Sequence, residues 1–251
     1  MFRRYFFMLL FTLSSYINTS LALPPNLPSL YAGEPSLNKL PNSITTAKLF
    51  IHAPNPHIKV LNYASTEIPS GHPYSQYQIS LKKTKDKLTA YQTVEDTKNN
   101  ARLIGHGIGF GGIFSMQYFK HGDLVNIPHY YKKYQWQEIS NLQGQLFPLK
   151  VGKSLRFNYH ELSQESVNGK VHHDDGQIVY QVIKKMHHYK NAFTTIPGDV
   201  YVIRFSKSTQ EHPTLMPQNE YYFSEKLGWY VFAKYYFSGR ARVQYQLIKW
   251  R

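Results

Sequence analysis

The stretch at residues 219–250, NEYYFSEKLGWYVFAKYYFSGRARVQYQLIKW, constrains the fold of this chain more than any other. Residues 229–237 are almost all apolar or aromatic. Both faces of a strand formed by these residues would therefore be apolar, so we predict a strand covered on both sides. Residues 240–250 alternate apolar with polar side chains, which predicts a strand with one packed face. Ser238-Gly239 and residues 225–228 have turn composition, so the stretch predicts a three-stranded antiparallel meander.

Upstream of this meander, short alternating segments continue back to Gln143. Turn residues separate them about every ten positions, and the unit at residues 143–251 holds roughly seven predicted strands, one of them a short strand at residues 192–196. Asp175-Gly176 is predicted as one of the hairpin turns. The pattern indicates a mainly β protein: an antiparallel curved sheet, half-barrel or sandwich with few short helices.

The region before this unit, residues 47–142, has weaker β patterns and is predicted as a separate β-rich region. One short helical turn is predicted just before Gln143, because Trp136, Ile139 and Leu142 stand near helical spacing.

The N-terminus resembles a secretory signal peptide over residues 1–22. Arg3 and Arg4 precede an apolar run at residues 5–13, and Ser20-Leu21-Ala22 matches a small-x-small cleavage site. The apolar run is short for a bilayer span, so we expect cleavage and no transmembrane segment afterwards. These features predict export, to the periplasm or alternatively to the outside of the cell. Residues 23–46, with five prolines, are predicted as a flexible arm.

Composition limits the partners and the sources of stability. The chain of 251 residues has no Cys, so an exported form depends on its core rather than on disulfides. Its formal net charge of +14 is compatible with contact to lipid headgroups or another anionic envelope surface, but background composition is the preferred explanation, since the Lys and Arg residues are scattered. The Lys and Arg residues are scattered and form no long basic run, so no nucleic-acid partner is expected. Oligomeric state is left open.

Three segments resemble a widespread group of exported bacterial β-domain proteins that is essentially uncharacterised. They are Pro148-Leu149 with Gly152, the strand pattern at residues 197–202, and the hairpin at residues 222–228. The resemblance covers the C-terminal hundred or so residues. It implies a curved antiparallel sheet in the periplasm or envelope, and it implies no catalytic residue. Some proteins of such groups resemble lipid-handling half-barrels.

Residues 105–112, GHGIGFGG, contain a G-x-G-x-x-G pattern at Gly107, Gly109 and Gly112. Phosphate binding by this pattern needs a following helix, whereas residues 113–119 predict a strand. The glycines therefore predict a flexible or bulged β-connection in which backbones approach closely. No cofactor is predicted.

Four histidines have the residue type of metal ligands: His172, His173, His187 and His188. Adjacent strand residues point to opposite faces, so a zinc site would need pairing across a hairpin that brings the two His pairs together. The acid pairs Glu161 with Glu165 and Asp174 with Asp175 have the residue type of catalytic carboxylates, but their expected hairpin or turn context argues against that role. No motif of a known hydrolase occurs, and no catalytic residue is predicted.

The 21 Tyr residues could form a stacking surface, although Tyr also simply suits strands. The predicted ligand-binding tyrosines are Tyr221, Tyr222, Tyr230, Tyr235 and Tyr236. The leading functional hypothesis is a non-enzymatic exported protein that binds an apolar or amphipathic ligand, or an envelope component, on a curved sheet. The alternatives are a hydrolase or glycan-modifying enzyme of the envelope and a secreted interaction protein.

Overall fold

The computed structural model of this protein describes residues 57–83, 89–97, 102–124, 127–165, 171–237 and 240–251, and these residues form twelve antiparallel strands. The strands are β1 (Val60–Glu67), β2 (Pro73–Lys83), β3 (Thr89–Thr97), β4 (Arg102–Phe110), β5 (Phe114–Leu124), β6 (Ile127–Gly144), β7 (Ser154–Glu165), β8 (Val171–Met186), β9 (Val200–Lys207), β10 (Met216–Ser224), β11 (Trp229–Phe237) and β12 (Arg240–Trp250). Each strand pairs with its neighbours in the chain, and β1 also pairs with β12, which closes the sheet into a barrel. The predicted signal peptide and arm lie outside the described residues.

Along most strands, alternation places apolar side chains inside the barrel and polar ones outside, whereas β10 and β11 also carry the aromatic residues Tyr222 and Phe232 on their outer face. In β1, Leu61, Tyr63 and Ser65 are buried while Asn62 and Ala64 between them are partly exposed. The outer face of the described strands carries many uncharged polar residues. Glutamines recur there: Gln76, Gln78, Gln92, Gln177, Gln181, Gln244 and Gln246. The core therefore lies within the closed sheet, and the outer face carries side chains that remain hydrated.

The predicted mainly β, antiparallel fold class is confirmed, and the pairing of β1 with β12 adds closure of the sheet. The predicted C-terminal meander is confirmed as β10, β11 and β12, with the turn at residues 225–228 between the first two. Residues 229–233 are all buried, as a strand covered on both sides requires. Gln143 lies within β6, and strands from both predicted regions share the one sheet.

Three local predictions are wrong. The helical turn before Gln143 is instead part of β6, where the register shifts after Ser140 and Asn141 adopts a φ of 51°. This irregularity changes the strand period between Ile139 and Leu142, which explains their helix-like spacing, whereas Trp136 and Ile139 lie in regular register. Residues 192–196 form no strand, because the Asn191 side chain accepts hydrogen bonds from the N–H groups of Phe193 and Thr194 and only one isolated bridge forms.

The third error concerns Asp175-Gly176, which lies inside β8 rather than at a hairpin turn. Position 176 needs glycine for another reason. A methyl group at this residue would lie 2.0 Å from the carbonyl oxygen of Ser208 and 3.0 Å from the Tyr159 ring. The glycine therefore permits close approach of a neighbouring chain segment and an aromatic ring, which is a second use of glycine in strands.

The turn between β4 and β5 enters the barrel and fills one end of it, which we call the lower end. Gly111 and Gly112 have φ values of +55° and +71°, and side chains there would collide with the rings of Phe223 and Tyr230. The hydroxyl of Tyr180 donates to the carbonyl of Ile113 at 3.0 Å. The predicted bulged connection is confirmed by a register shift between Ile108 and Gly109. The glycine run thus serves core packing.

The contact of the Tyr91 ring of β3 with Gly107 of β4 can be tested. A methyl group at Gly107 would lie 2.4 Å from the Tyr91 ring, which also packs edge-on against Trp229 at 5.8 Å. We expect Gly107→Ala to lower the free energy of unfolding by about 1–3 kcal/mol, because the ring must move. Urea denaturation measures this change.

A double-mutant cycle provides the control for that substitution. In a Tyr91→Ala background the added methyl group meets no ring, so Gly107→Ala should cost much less than in the wild-type protein. An equal cost in both backgrounds would contradict the assigned collision.

Candidate functional site

A charged cluster lies inside the barrel near the end opposite the lower end, which we call the upper end. Lys207 Nζ lies 3.0 Å from Asp174 Oδ2 and 3.6 Å from Glu161 Oε2. Gln137 Nε2 donates to Glu161 Oε2 at 2.5 Å. Lys207 Nζ lies 4.4 Å from the centroid of the Tyr159 ring. These five residues are the charged cluster. One cation and an amide N–H compensate the two carboxylates, and the aromatic face stabilises the cation.

Strand register explains why these residues meet. Glu161 of β7 pairs directly with Asp174 of β8. Both residues occupy inward-facing positions, so the two carboxylates lie on the same face of the sheet. The sequence pairs that had been weighed, Glu161 with Glu165 and Asp174 with Asp175, are therefore not the spatial pair. The position of the turn sets the register of a hairpin. The pairing of Glu161 with Asp174 was therefore predictable from the sequence only if the turn between β7 and β8 was assigned correctly.

Tyr159 connects the charged cluster to the loop that follows β9. Its hydroxyl lies 2.8 Å from Asp174 Oδ2 and 3.0 Å from the carbonyl oxygen of Ser208. Burial, with help from the Asp174 hydrogen bond, raises the pKa of Tyr159 far above its ordinary value, so the hydroxyl remains protonated. The ring reaches these partners across Gly176, its cross-strand neighbour.

Six inward-facing tyrosines form a closed ring of aromatic contacts across five strands, which we call the tyrosine ring. Its members are, in order of contact, Tyr63, Tyr77, Tyr245, Tyr235, Tyr221 and Tyr230. Successive centroids lie 5.2–6.4 Å apart, within the range of favourable aromatic pairs. Tyr63 donates to the carbonyl of Tyr230 at 2.5 Å, and Asn219 donates to the hydroxyl of Tyr221 at 2.6 Å.

The tyrosine ring has a buried side and a partly accessible side. Tyr63, Tyr221 and Tyr230 are buried in the core, and burial raises the pKa of each well above its ordinary value. Tyr77, Tyr235 and Tyr245 are only partly buried, although they point into the barrel. These three rings therefore keep part of their surface accessible.

The predicted tyrosine platform is therefore split between the two faces of the sheet. Tyr221, Tyr230 and Tyr235 belong to the tyrosine ring, whereas Tyr222 and Tyr236 are half-buried on the outer face. Tyr222 packs against Phe232 at 4.7 Å, and burial with a hydrogen bond to Glu220 raises the pKa of Tyr236 to about 12. A ligand role for these residues stays a prediction, but no single surface contains all five.

The four histidines weighed as metal ligands do not come together. His172 and His173 begin β8, while His187 and His188 follow its other end, so the two pairs lie at opposite ends of the barrel. One pair lies at the start of β8 and the other just after its end, so the length of this strand separates them and the expected pairing across a hairpin does not occur. Among the residues that the structure describes, no group of three or more His, Cys, Asp or Glu could hold a metal ion.

One of these histidines has a different partner. His187 Nδ1 lies 2.6 Å from Asp199 Oδ1, and Lys185 Nζ lies 2.7 Å from Asp199 Oδ2. The hydrogen bond from Lys185 lowers the pKa of Asp199, with a smaller contribution from His187. This ion cluster ties the end of β8 to the residue before β9.

The lowered pKa predicts a pH dependence for Asp199→Asn. Because the folded pKa is below that of the unfolded chain, the wild-type carboxylate stabilises the fold above the unfolded pKa of about 3.9 and loses this effect as pH falls through the folded value. The variant should therefore have a lower urea midpoint than wild type at pH 7, and the difference should shrink toward pH 3. Lys185→Gln should reproduce the loss at pH 7. A difference that grew on acidification would contradict the assignment.

The comparisons with known proteins add no relative: no protein family, curated protein or solved structure matches this chain. In the described part of the chain, no helix has the length and apolar character needed to cross a membrane.

The charged cluster can be tested by removing its cation. The side chains of Lys207, Glu161 and Asp174 are 21%, 13% and 31% exposed, so the two carboxylates would be poorly hydrated without Lys207. We expect Lys207→Met to lower the free energy of unfolding by about 1–3 kcal/mol at pH 7. Chemical denaturation measures the change.

Two comparisons make the Lys207 test specific. Lys184→Met removes an exposed cation from β8 and should change stability by less than about 0.5 kcal/mol. Adding Glu161→Gln and Asp174→Asn to Lys207→Met should restore part of the loss, because no unpaired charge then remains inside the barrel. Equal stability of Lys207→Met and wild type would show that the cluster contributes nothing.

Proposed function

We propose that this protein is an exported, non-enzymatic binding protein that accepts an amphipathic ligand in the upper half of its barrel. The observation that carries the proposal is the tyrosine ring, because three of its inward-facing members keep accessible surface within a closed sheet. An apolar chain would lie against this aromatic surface, as in ligand sites that combine an apolar lining with few polar groups.

A polar and an apolar side chain, Asn219 and Phe205, lie between the tyrosine ring and the charged cluster. Asn219 pairs in register with Tyr235 and with Phe205, and Phe205 stands two residues before Lys207. The Phe205 ring is partly buried and packs against Tyr180 at 5.1 Å. A ligand with its apolar part on the tyrosine ring would therefore bring its polar head toward the charged cluster.

The charge of this cluster selects among polar heads. Lys207 is shared by Glu161 and Asp174, so the cluster has one more acid than base. A neutral or cationic head suits this surface better than an anionic one, because the existing carboxylates would repel a further negative charge. The resemblance of residues 1–22 to a signal peptide supports an encounter with such a ligand outside the cytoplasm, in the periplasm or beyond the cell.

A hydrolase function has less support from the described residues. His160 pairs with Asp175 across β7 and β8, but the nearest outward serine, Ser140, is diagonal to His160 in the register. The imidazole of His160 bonds Asp175, and among the described residues no serine hydroxyl donates to it. The geometry therefore favours binding over acyl transfer.

The binding proposal is tested with three fluorescent amphiphiles that share one alkyl chain and differ in a carboxylate, alcohol or amine head. The mature protein should bind the alcohol and amine probes, with a weaker response to the carboxylate. Tyr235→Ala should weaken binding about tenfold, because an inward ring is lost, while Tyr235→Phe retains the ring and the affinity.

Tyr236 provides a matched control on the same strand. It is the outward neighbour of Tyr235, so Tyr236→Ala should change probe affinity by less than about twofold. Mass spectrometry of protein purified from its export compartment provides a second readout. Absence of probe uptake together with absence of any bound amphiphile would refute the proposal, as would equal effects of the two alanine variants.

A further inference from the structure

A groove of about 680 Å³ lies on the outer face of β6, β7 and β8, beneath the loop that follows β9. Strand register builds its floor from two rows of cross-strand neighbours. The first row is Glu138, His160 and Asp175, and the second is Ser140, Asn158 and Gln177. Pro213 contributes apolar surface, and Thr209 and Gln210 line the side formed by the loop. All of these residues are separate from the ligand site proposed inside the barrel.

The loop wall of the groove is held in place by hydrogen bonds. Ser208 N–H donates to the carbonyl of Gln177 at 2.9 Å, and its Oγ accepts from the N–H of Gln177 at 3.1 Å. Within the loop, Thr209 N–H donates to the carbonyl of His212 at 2.9 Å, and His212 N–H donates to Thr209 Oγ1 at 3.0 Å. The absence of a side chain at Gly176 lets the loop approach the sheet. The groove is therefore formed before any ligand arrives.

Asp175 orients two polar groups of the groove. Its Oδ1 lies 2.7 Å from Nδ1 of His160, and its Oδ2 accepts from Gln210 Nε2 at 3.0 Å. With Nδ1 engaged, the imidazole has Nε2 left for a ligand. In the part of the chain that the structure describes, the side chains of Ser140, Asn158 and Gln177 make no hydrogen bond. The groove thus presents a planar array of amide, hydroxyl, imidazole and carboxylate groups.

We propose that this groove is a second binding site, and that it takes a neutral or amino-bearing oligosaccharide. Adjacent hydroxyl groups of a sugar both donate and accept hydrogen bonds, which matches neighbouring amides and carboxylates on a rigid sheet. Pro213 provides surface for the apolar C–H face of a sugar ring. Glu138 and Asp175 are acidic and no Lys or Arg lines the groove among the described residues, so acidic sugars are disfavoured.

The experiment uses the mature protein on an array of neutral, amino and acidic oligosaccharides, followed by calorimetric titration of the bound species. Neutral or amino oligosaccharides should bind, and acidic ones of the same length should bind at least about tenfold more weakly. Asn158→Ala and Gln177→Ala should each weaken binding about fivefold, as expected for loss of one or two hydrogen bonds to a ligand.

Gln181→Ala is the matched control, since Gln181 is an exposed outward residue of β8 outside the groove. It should leave sugar affinity within about twofold of wild type, and Tyr235→Ala should do the same because that ring lies inside the barrel. Thermal melts of all variants show that each is folded. Failure of every neutral and amino oligosaccharide to bind would overturn the proposal, as would equal binding of acidic sugars or an equal effect of Gln181→Ala. These results are independent of the amphiphile assay.

Discussion

The packing of tyrosine rings over glycine backbones is the constraint on which the rest of this barrel depends. Tyr91 lies over Gly107 of β4, and Tyr159 lies over Gly176 of β8, each in direct cross-strand register. A Cβ atom at Gly107 would lie 2.4 Å from the Tyr91 ring, and one at Gly176 would lie 3.0 Å from the Tyr159 ring and 2.0 Å from the Ser208 carbonyl oxygen, so both positions need glycine. The contact at Gly107 lets the glycine-rich strand β4 pack close to the Tyr91 ring, which itself packs against Trp229. The contact at Gly176 lets the Tyr159 hydroxyl reach both Asp174 of the charged cluster and Ser208 of the loop after β9.

The two sides of β7 and β8 carry different chemistry because adjacent residues of a strand point in opposite directions. Tyr159 and Asp174 face inward to the charged cluster, while His160 and Asp175 face outward into the groove. The same two strands therefore support two polar sites. Inside the barrel, carboxylates must be compensated because hydration is limited, whereas on the outer face the polar groups can await a ligand in water.

Much of the fold follows from local patterns in the chain. The meander of β10, β11 and β12 was predictable because aromatic and β-branched residues alternate there and Gly228 provides a turn. The predictions failed where one residue changed the local period or replaced a strand hydrogen bond. Asn141 disturbs the register of β6, and the Asn191 side chain bonds the backbone that a short strand would have used. Asp175-Gly176 has hairpin composition, but the glycine serves the contact with Tyr159 and Ser208.

The candidate sites were much less predictable. The tyrosines of the C-terminal stretch were identifiable as residues of a concave surface, and Tyr221, Tyr230 and Tyr235 do face the inside of the barrel. Their partners Tyr63 and Tyr77 come from the opposite end of the chain, so local periodicity could not associate them. Glu161 and Asp174 were visible as acids, but their pairing depends on the register of β7 with β8.

By itself, the sequence determined the strands, their alternation and the absence of disulfides, since these properties depend on residues near one another in the chain or on composition. Only the tertiary structure decided that β1 closes the sheet against β12, which tyrosines share the interior, and which polar residues meet at the charged cluster and the groove. Those outcomes depend on strand register, and a shift of one residue would turn each side chain of a strand to the other face.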